Sequence, residues 1–230
     1  MKFTKTPFKR IQRILITLFS SLCLTFGALF LSGCNKPLDL TEYVSEYRSN
    51  VFIYNDKDFS VKARSVEKEY PYVADGYKGE LTHRTEIVIT LPKGVEACSV
   101  RFSVDGKEYG GDASYDNVKQ QFYFSCGANV SALHTLPLAL TFCDEEKQLS
   151  LPSVRGNELT LQKAIDAVFS QEKELLKSLQ NGKEFLGEIY VRLLYEDATY
   201  FYVGVVDRNG NTTAFLLDGK SGKILAKRSS

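Results

Sequence analysis

Short runs in which apolar and polar residues alternate fill residues 51–151, and this period of two is the feature that most constrains the fold. The clearest run is CSVRFSV (98–104), which places four apolar side chains on one face and is followed by the hairpin-type turn Asp105-Gly106. The alternation returns in residues 122–126 and 136–142, and more weakly in residues 59–66, 85–91 and 148–151. About seven short strands in roughly a hundred residues predict a mainly β fold containing a β-sandwich.

The cysteines of this region refine the prediction. Cys98 and Cys126 fall on the inward faces of their predicted strands, which is compatible with a disulfide between the two sheets. An immunoglobulin-like sandwich is the finer alternative, but the sequence contains no Trp for the bridge to pack against. Cys143 follows an inward-facing residue and is therefore expected to point outward. For each of the three cysteines, Cys98, Cys126 and Cys143, the alternative is a buried, inert thiol.

The N-terminal segment has the three parts of an export signal. Basic residues precede an apolar run at 14–31, and the run ends in Leu31-Ser32-Gly33-Cys34. These four residues resemble the bacterial lipobox. The resemblance implies that Cys34 receives a diacylglyceryl group, that residues 1–33 are removed as a signal peptide, and that Cys34 becomes the new N-terminus. A membrane-spanning helix with an incidental cysteine is the alternative.

A lipid on Cys34 would decide where the protein resides. Two acyl chains of the palmitate type hold a protein stably on a membrane, whereas one chain binds only marginally. The expected location is therefore the extracytoplasmic side of the cell membrane, with membrane lipid as the first partner.

The rest of the chain divides by its periodicity. Residues 34–50 are predicted to be a tether, 51–151 the β-sandwich domain and 152–157 a linker. Apolar residues then recur at helical spacing between Leu161 and Leu179, with Thr160 as N-cap and Asn181-Gly182 as stop. Strand alternation returns from residue 189 onward, so residues 158–228 are predicted to form a small α+β domain.

This second domain resembles a PepSY domain. The stretches that carry the resemblance are VGVVDRNG (203–210) and DGKSGKIL (218–225), with Gly219 where the family favours Ala and Ser221 where it favours Thr. The family occurs in exported bacterial proteins and in protease propeptides. The resemblance implies an inhibitory or chaperone-like role toward a secreted protease, and it supplies no catalytic residues.

Net charge argues against nucleic acid as a partner. The formal charge is +1, but five of the 29 basic residues lie in the first 33 positions, which contain no acidic residue. The remaining 24 basic residues face 28 acidic ones, so the exported part carries about −4.

The search for chemistry predicts no catalytic, cofactor-binding or metal-binding residue. His83 and His134 stand far apart and lack a second ligand at metal-binding spacing, and the cysteines are too widely spaced for a zinc site. The sequence therefore predicts a monomeric, non-enzymatic lipoprotein that binds another exported or envelope protein. The alternative is an accessory or structural lipoprotein that binds glycan or peptide through the tyrosines of residues 43–77.

Overall fold

The computed structural model describes residues 38–230, and this part of the chain is mainly β-structure, as predicted. A short 3-10 helix at Leu40–Tyr43 precedes the first strand. The first nine strands are β1 (Val44–Asn55), β2 (Ser60–Glu69), β3 (Leu81–Thr90), β4 (Ser99–Val104), β5 (Lys107–Asp112), β6 (Ser114–Asp116), β7 (Gln121–Cys126), β8 (Thr135–Phe142) and β9 (Glu145–Pro152).

Two helices and six further strands complete the described chain. The helices are α1 (Leu161–Gln171) and α2 (Lys173–Leu179). The strands are β10 (Gln180–Asn181), β11 (Glu184–Phe185), β12 (Gly187–Tyr195), β13 (Thr199–Asp207), β14 (Thr212–Asp218) and β15 (Ile224–Ser229).

One long sheet dominates the topology. Its nine strands lie in the order β15-β14-β13-β12-β1-β2-β3-β7-β6, and a second sheet has the order β5-β4-β8-β9. The pairing of β1 with β12 is parallel, and the neighbours on either side of that pair are antiparallel. The short strands β10 and β11 pair only with each other.

The two sheets pack face to face, which is consistent with the predicted β-sandwich. Strands β1, β2, β3 and β7 contribute one side of the core, and β4, β8 and β9 contribute the other. The fully buried side chains at the centre include Phe52, Ile87, Leu138 and Leu140. The immunoglobulin-like type and the PepSY-like unit stay predictions.

The clearest sequence run behaves as expected. Val100, Phe102 and Val104 of β4 are buried in the sandwich core. The turn that follows has positive φ angles at Asp105 (52°) and Gly106 (76°), as a tight hairpin turn between twisted strands requires.

The cysteines do not pair as the sequence suggested, because Cys98 and Cys126 are both free thiols. Cys98 is buried and Cys126 is half-buried, as expected for residues that lie on inward faces of their strands.

The domain organisation differs from the one read from the sequence. Residues 44–50, which we assigned to the tether, form the first half of β1, and β1 pairs with β12 of the C-terminal region. One sheet therefore continues across the predicted linker at 152–157, and residues 39–230 form one compact unit.

The predicted helix is present but broken. Thr160 caps α1 as expected, and its hydroxyl accepts a hydrogen bond from the Lys163 amide at 3.3 Å. At Glu172 the backbone leaves helical geometry (φ −110°, ψ 53°), so that α2 begins as a separate helix at Lys173. α1 packs against β12 and β13 with an apolar face formed by Ala164, Ile165, Val168 and Phe169.

Candidate functional site

The nine-stranded sheet has one covered face and one open face, and strand register identifies them. Val61 and Ala63 of β2 pack in the core against the four-stranded sheet. Because alternate side chains of a strand point to opposite sides, the odd-numbered residues from 61 to 67 all face that sheet. Tyr47 of β1 is opposite Glu67 of β2, and Val191 of β12 is opposite Tyr47. Val191 and its alternate neighbours Ile189 and Leu193 are the buried apolar positions on this side of β12, the strand against which α1 packs.

The four-stranded sheet and the helices therefore cover the same side. We call the opposite side the open face. Most of its residues are charged or aromatic, in contrast to the mainly apolar residues of the covered face. They include Glu46 and Arg48 on β1, Lys62 and Arg64 on β2, Tyr190, Arg192 and Leu194 on β12, and Tyr200 and Tyr202 on β13.

A partly buried ion pair joins β1 to β12 on the open face. Arg192 donates from Nε and Nη2 to the two carboxylate oxygens of Glu46, and both distances are 2.7 Å. The guanidinium group also lies over the rings of Tyr190 (5.4 Å) and Tyr202 (5.3 Å). Burial lowers the pKa of Arg192, but the hydrogen bonds and charge of Glu46 outweigh burial and leave the pKa raised. Arg192 is therefore committed to the fold.

Arg48 is in a different situation. Its Nη2 is 4.0 Å from a Glu46 oxygen that already accepts from Arg192, and its buried Nε has no hydrogen-bond partner. Burial and the nearby Arg64 charge lower the pKa of Arg48 to about 10. Arg64, on the neighbouring strand, has no hydrogen bond or ion pair within residues 38–230.

Adjoining cavities follow the open face across the strands. The first, of 250 Å³, is lined by Arg48, Val51, Lys62, Arg64, Leu193, Leu194, Tyr195, Glu196, Tyr200 and Leu216. A second, of 510 Å³, shares Lys62, Arg64, Tyr195 and Glu196 with the first and reaches Lys119 and Gln121. A third, of 380 Å³, shares Val88, Lys119 and Gln121 with the second. We call the three together the trough.

Residues 70–80 cover another part of the open face. The ring of Tyr72 packs edge-on against that of Tyr190 at 5.8 Å, and the Tyr190 hydroxyl donates to Oε1 of Glu188 at 2.8 Å. Glu188 is fully buried, and its Oε2 has no hydrogen-bond partner. Burial raises the pKa of Tyr72 to about 12 and also raises that of Tyr190. This closed part serves to seat the loop.

The residues singled out in the sequence lie elsewhere. Cys34 and the lipobox residues Leu31, Ser32 and Gly33 are outside the described residues. Burial raises the pKa of Cys98 to about 11 and also raises that of Cys126, so both are weakly reactive thiols. The predicted tyrosine surface is divided: Tyr43 packs on Phe185 and Tyr54 on Phe59, while Tyr70, Tyr72 and Tyr77 belong to the loop over the open face.

The histidines take no part in the trough. His83 and His134 are both exposed, the first on β3 and the second just before β8. Within residues 38–230, His, Cys, Asp and Glu side chains do not gather in groups of three or more that could hold a metal ion. No helix in this described part is long and apolar enough to cross a membrane.

The sequence matches no protein-family model, no curated protein and no solved structure. The residues and their geometry are therefore the basis for any assignment of function.

Sequence reasoning missed the arginines of the open face. The available signal was VKAR (61–64), in which two basic residues alternate with two apolar ones. That pattern indicates a strand with one charged face, but it cannot show that the face belongs to a wide sheet or that Arg48 lies beside it.

Proposed function

We propose that this chain is an exported, lipid-anchored lipoprotein that binds another exported or envelope protein through the open face of its nine-stranded sheet, without catalysing a reaction. The lipobox-like sequence ending at Cys34 supports export and anchoring at the extracytoplasmic side of the cell membrane. The anchor would hold the sheet close to partners in the cell envelope.

The main observation in support of a binding role is the trough, which lies on a part of the open face that the rest of the described fold leaves uncovered. Its three cavities adjoin one another and cross the sheet from β14 to β6. A groove of that length suits a segment of another chain better than a single small molecule.

The lining of the trough supports a binding role over catalysis. The groups at its centre are guanidinium, ammonium and apolar side chains, and the described histidines and cysteines lie outside it. Such a lining favours electrostatic and apolar contact with a ligand, and it supports binding more than activation of a nucleophile by a base.

The PepSY-like sequence of residues 158–228 suggests where to look for the partner. The resemblance implies a role toward secreted proteases, and part of the trough is built on β12, β13 and β14 of this region. A secreted protease is therefore the first partner class to test, with inhibition of its activity as the readout.

Crosslinking in the producing cell tests the proposal directly. A photoreactive amino acid at Leu194, inside the trough, should capture one exported or envelope protein, whereas the same probe at exposed Ser150 on β9 should not. A Cys34→Ala chain is the mislocalised control and should lose the capture. Equal capture from both positions, or no capture from Leu194, would contradict the proposed function.

The alternative, a glycan- or peptide-binding accessory lipoprotein, has one observation in its favour. Tyr70 and Tyr77 on the loop over the open face are 69% and 54% exposed, and exposed aromatic rings suit sugar stacking. Binding to a glycan array that is lost in Tyr70→Ala and Tyr77→Ala would favour this alternative over a protein partner.

A further inference from the structure

Two arginines on adjacent strands face the same cavity of the trough. Arg48 of β1 is opposite Val66 of β2, and Arg64 of β2 is opposite Val51 of β1. The two guanidinium groups are close enough that the charge of Arg64 lowers the pKa of Arg48. Like charges on neighbouring strands destabilise a sheet unless something lies between or beside them.

The fold neutralises these charges only in part. Glu86 of β3 is opposite Arg64, and its charge opposes the lowering of the Arg48 pKa, but within the described residues it forms no ion pair with either arginine. Glu46, the carboxylate nearest to Arg48, already holds Arg192 with both oxygens. Arg64 has no hydrogen bond or ion pair within the described residues, and Nε of Arg48 is buried without a partner. Lys62, beside them, reaches only the Tyr195 carbonyl at 3.5 Å. Guanidinium donors are therefore available to an anion that enters the cavity.

The charge of the trough is opposite to that of the exported chain. The three cavities of the trough are lined by four basic side chains, Arg48, Lys62, Arg64 and Lys119, and by two acidic side chains, Asp116 and Glu196. Lys119 has Asp116 as a neighbour at 3.8 Å and Arg48 has Glu46 at 4.0 Å, whereas Lys62 and Arg64 have no carboxylate within 4.0 Å among the described residues. A local excess of positive charge on an acidic protein is a basis for selecting an acidic partner.

Apolar side chains lie next to the arginines in the same cavity. Val51 lies on β1 beside Arg48, and Leu194, Tyr200 and Leu216 form the wall on β12, β13 and β14. Beyond the arginines, the adjoining cavity adds Ile53 and Val88. A ligand that fills this lining must combine carboxylates with apolar groups spaced along its length, which an extended peptide does.

We propose that the occupant of the trough is an extended acidic peptide segment of the partner protein, with one carboxylate held by Arg48 and Arg64 and an apolar side chain packed against Leu194, Tyr200 and Leu216. This inference rests on the proposed function, and it names the chemistry of the partner at the same site. Arg48 and Arg64 then act as the specificity-determining residues.

The test is peptide binding by the purified full-length chain in detergent. The probe is a fluorescent dodecapeptide of alternating Glu and Leu, and its control has Gln in place of each Glu. The Glu peptide should bind at least about tenfold more tightly, because the arginine–carboxylate contacts are charge-assisted. Affinity should also fall steeply with salt.

Matched variants identify the residues responsible. Arg64→Gln should weaken binding of the Glu peptide about tenfold, whereas Arg101→Gln, which removes a charge on β4 paired with Glu146, should leave it unchanged. Arg64→Lys keeps the charge, retains affinity within about threefold, and serves as the second variant if Arg64→Gln does not melt cooperatively. Equal affinity for the Glu and Gln peptides, or equal effects of Arg64→Gln and Arg101→Gln, would overturn the inference.

Two further outcomes separate this inference from the proposed function. If crosslinking from Leu194 captures the same partner with Arg64→Gln as with the native chain, the acidic-segment inference fails and the binding function stands. If vesicles containing phosphatidylglycerol bind more tightly than the Glu peptide, and that binding is lost in Arg64→Gln, the trough contacts an anionic membrane and the inference is overturned.

Discussion

Arg48 carries its charge at a position where the surroundings disfavour it. The side chain is 13% exposed, and the nearest carboxylate, Glu46, already binds Arg192. Burial and the charges of Arg64 and Arg192 lower the pKa of Arg48 from 12.5 to about 10, against smaller opposing effects of Glu46 and Glu86. A residue held in this way is a candidate for a role in binding, because its charge adds little to the stability of the fold.

Replacing Arg48 with Met should therefore separate stability from binding. We expect Arg48→Met to raise the free energy of unfolding by about 1 kcal/mol, since an apolar side chain of similar length removes a buried, poorly paired charge. Urea denaturation measures this change. A loss of 2 kcal/mol or so would mean that the contact with Glu46 matters more than burial, contrary to our expectation.

The same residue predicts a pH dependence of stability. A base whose folded-state pKa is lowered binds its proton less tightly in the folded state than in the unfolded state. The penalty is complete below about pH 10 and is relieved as pH rises from about 10 toward 12.5. We therefore measure the free energy of unfolding of the native chain and of Arg48→Met side by side, and the native chain should gain on the variant between about pH 9 and pH 11. A constant difference across that range would contradict the assignment.

Tyr190 is the second residue whose contribution can be isolated. Its hydroxyl is the only hydrogen-bond donor to the buried Glu188 carboxylate among the described residues. Tyr190→Phe should lower the free energy of unfolding by about 2 kcal/mol, because it leaves a buried carboxylate without a donor.

Tyr54→Phe is the matched control for that change. It removes an exposed hydroxyl that lies 3.4 Å from Asp56, and it should alter stability by less than about 0.5 kcal/mol. Similar effects of the two substitutions in thermal and urea denaturation would show that the Glu188 contact is not important.

At the scale of elements, the loop of residues 70–80 depends on one close backbone approach. Gly76 has a φ of +78°, and a Cβ added there would lie 2.6 Å from the carbonyl carbon and oxygen of Asp207. Gly94 also has a positive φ, +91°, but an added Cβ would meet no atom within 4 Å. The two glycines share the same backbone requirement and differ in the contact.

We expect Gly94→Ala to cost about 1 kcal/mol of stability from backbone strain alone. Gly76→Ala should cost about 2 kcal/mol more, because the loop must move away from the β13–β14 turn. Lys78 is exposed but donates to the Glu42 carbonyl, and movement of the loop should break this hydrogen bond and loosen the backbone around Lys78. Trypsin should therefore cleave at Lys78 faster in Gly76→Ala than in Gly94→Ala. Equal cleavage rates would mean that the loop stays seated without the close approach.

For the whole molecule, the nine-stranded sheet ties the two regions into one structure. β1 is central, with β2 on one side and β12 on the other, and the Glu46–Arg192 ion pair crosses the second junction. We therefore expect residues 39–230 to unfold in one cooperative transition, whereas two independent domains would unfold in two.

Hydrogen exchange in increasing denaturant measures this cooperativity. Amides of β8, in the sandwich, and of β13, beside the helices, should lose protection at the same denaturant concentration. A chain that ends at residue 157 should fail to fold stably, because β1 loses its neighbour β12 and Glu46 loses Arg192. Two separated transitions would instead support the two-domain organisation that the sequence predicted.

Strands and turns were predictable where local chemistry decides them. The alternation of β4, the positive-φ turn at Asp105-Gly106 and the Thr160 cap depend on neighbours within a few residues. β1 was missed in its first half because Glu46 and Arg48 suggest a solvated tether, and a bulge between Arg48 and Asn50 interrupts the alternation.

The sequence by itself determined the mainly β fold and the positions of most strands, because a period of two is a local property of side chains on a pleated backbone. Only the tertiary structure decided that β1 and β12 pair across more than 130 residues, that Cys98 and Cys126 are free thiols, and that Arg48 and Arg64 share a cavity. Such proximities arise from long-range strand pairing, and no local pattern of residues encodes which strands become neighbours.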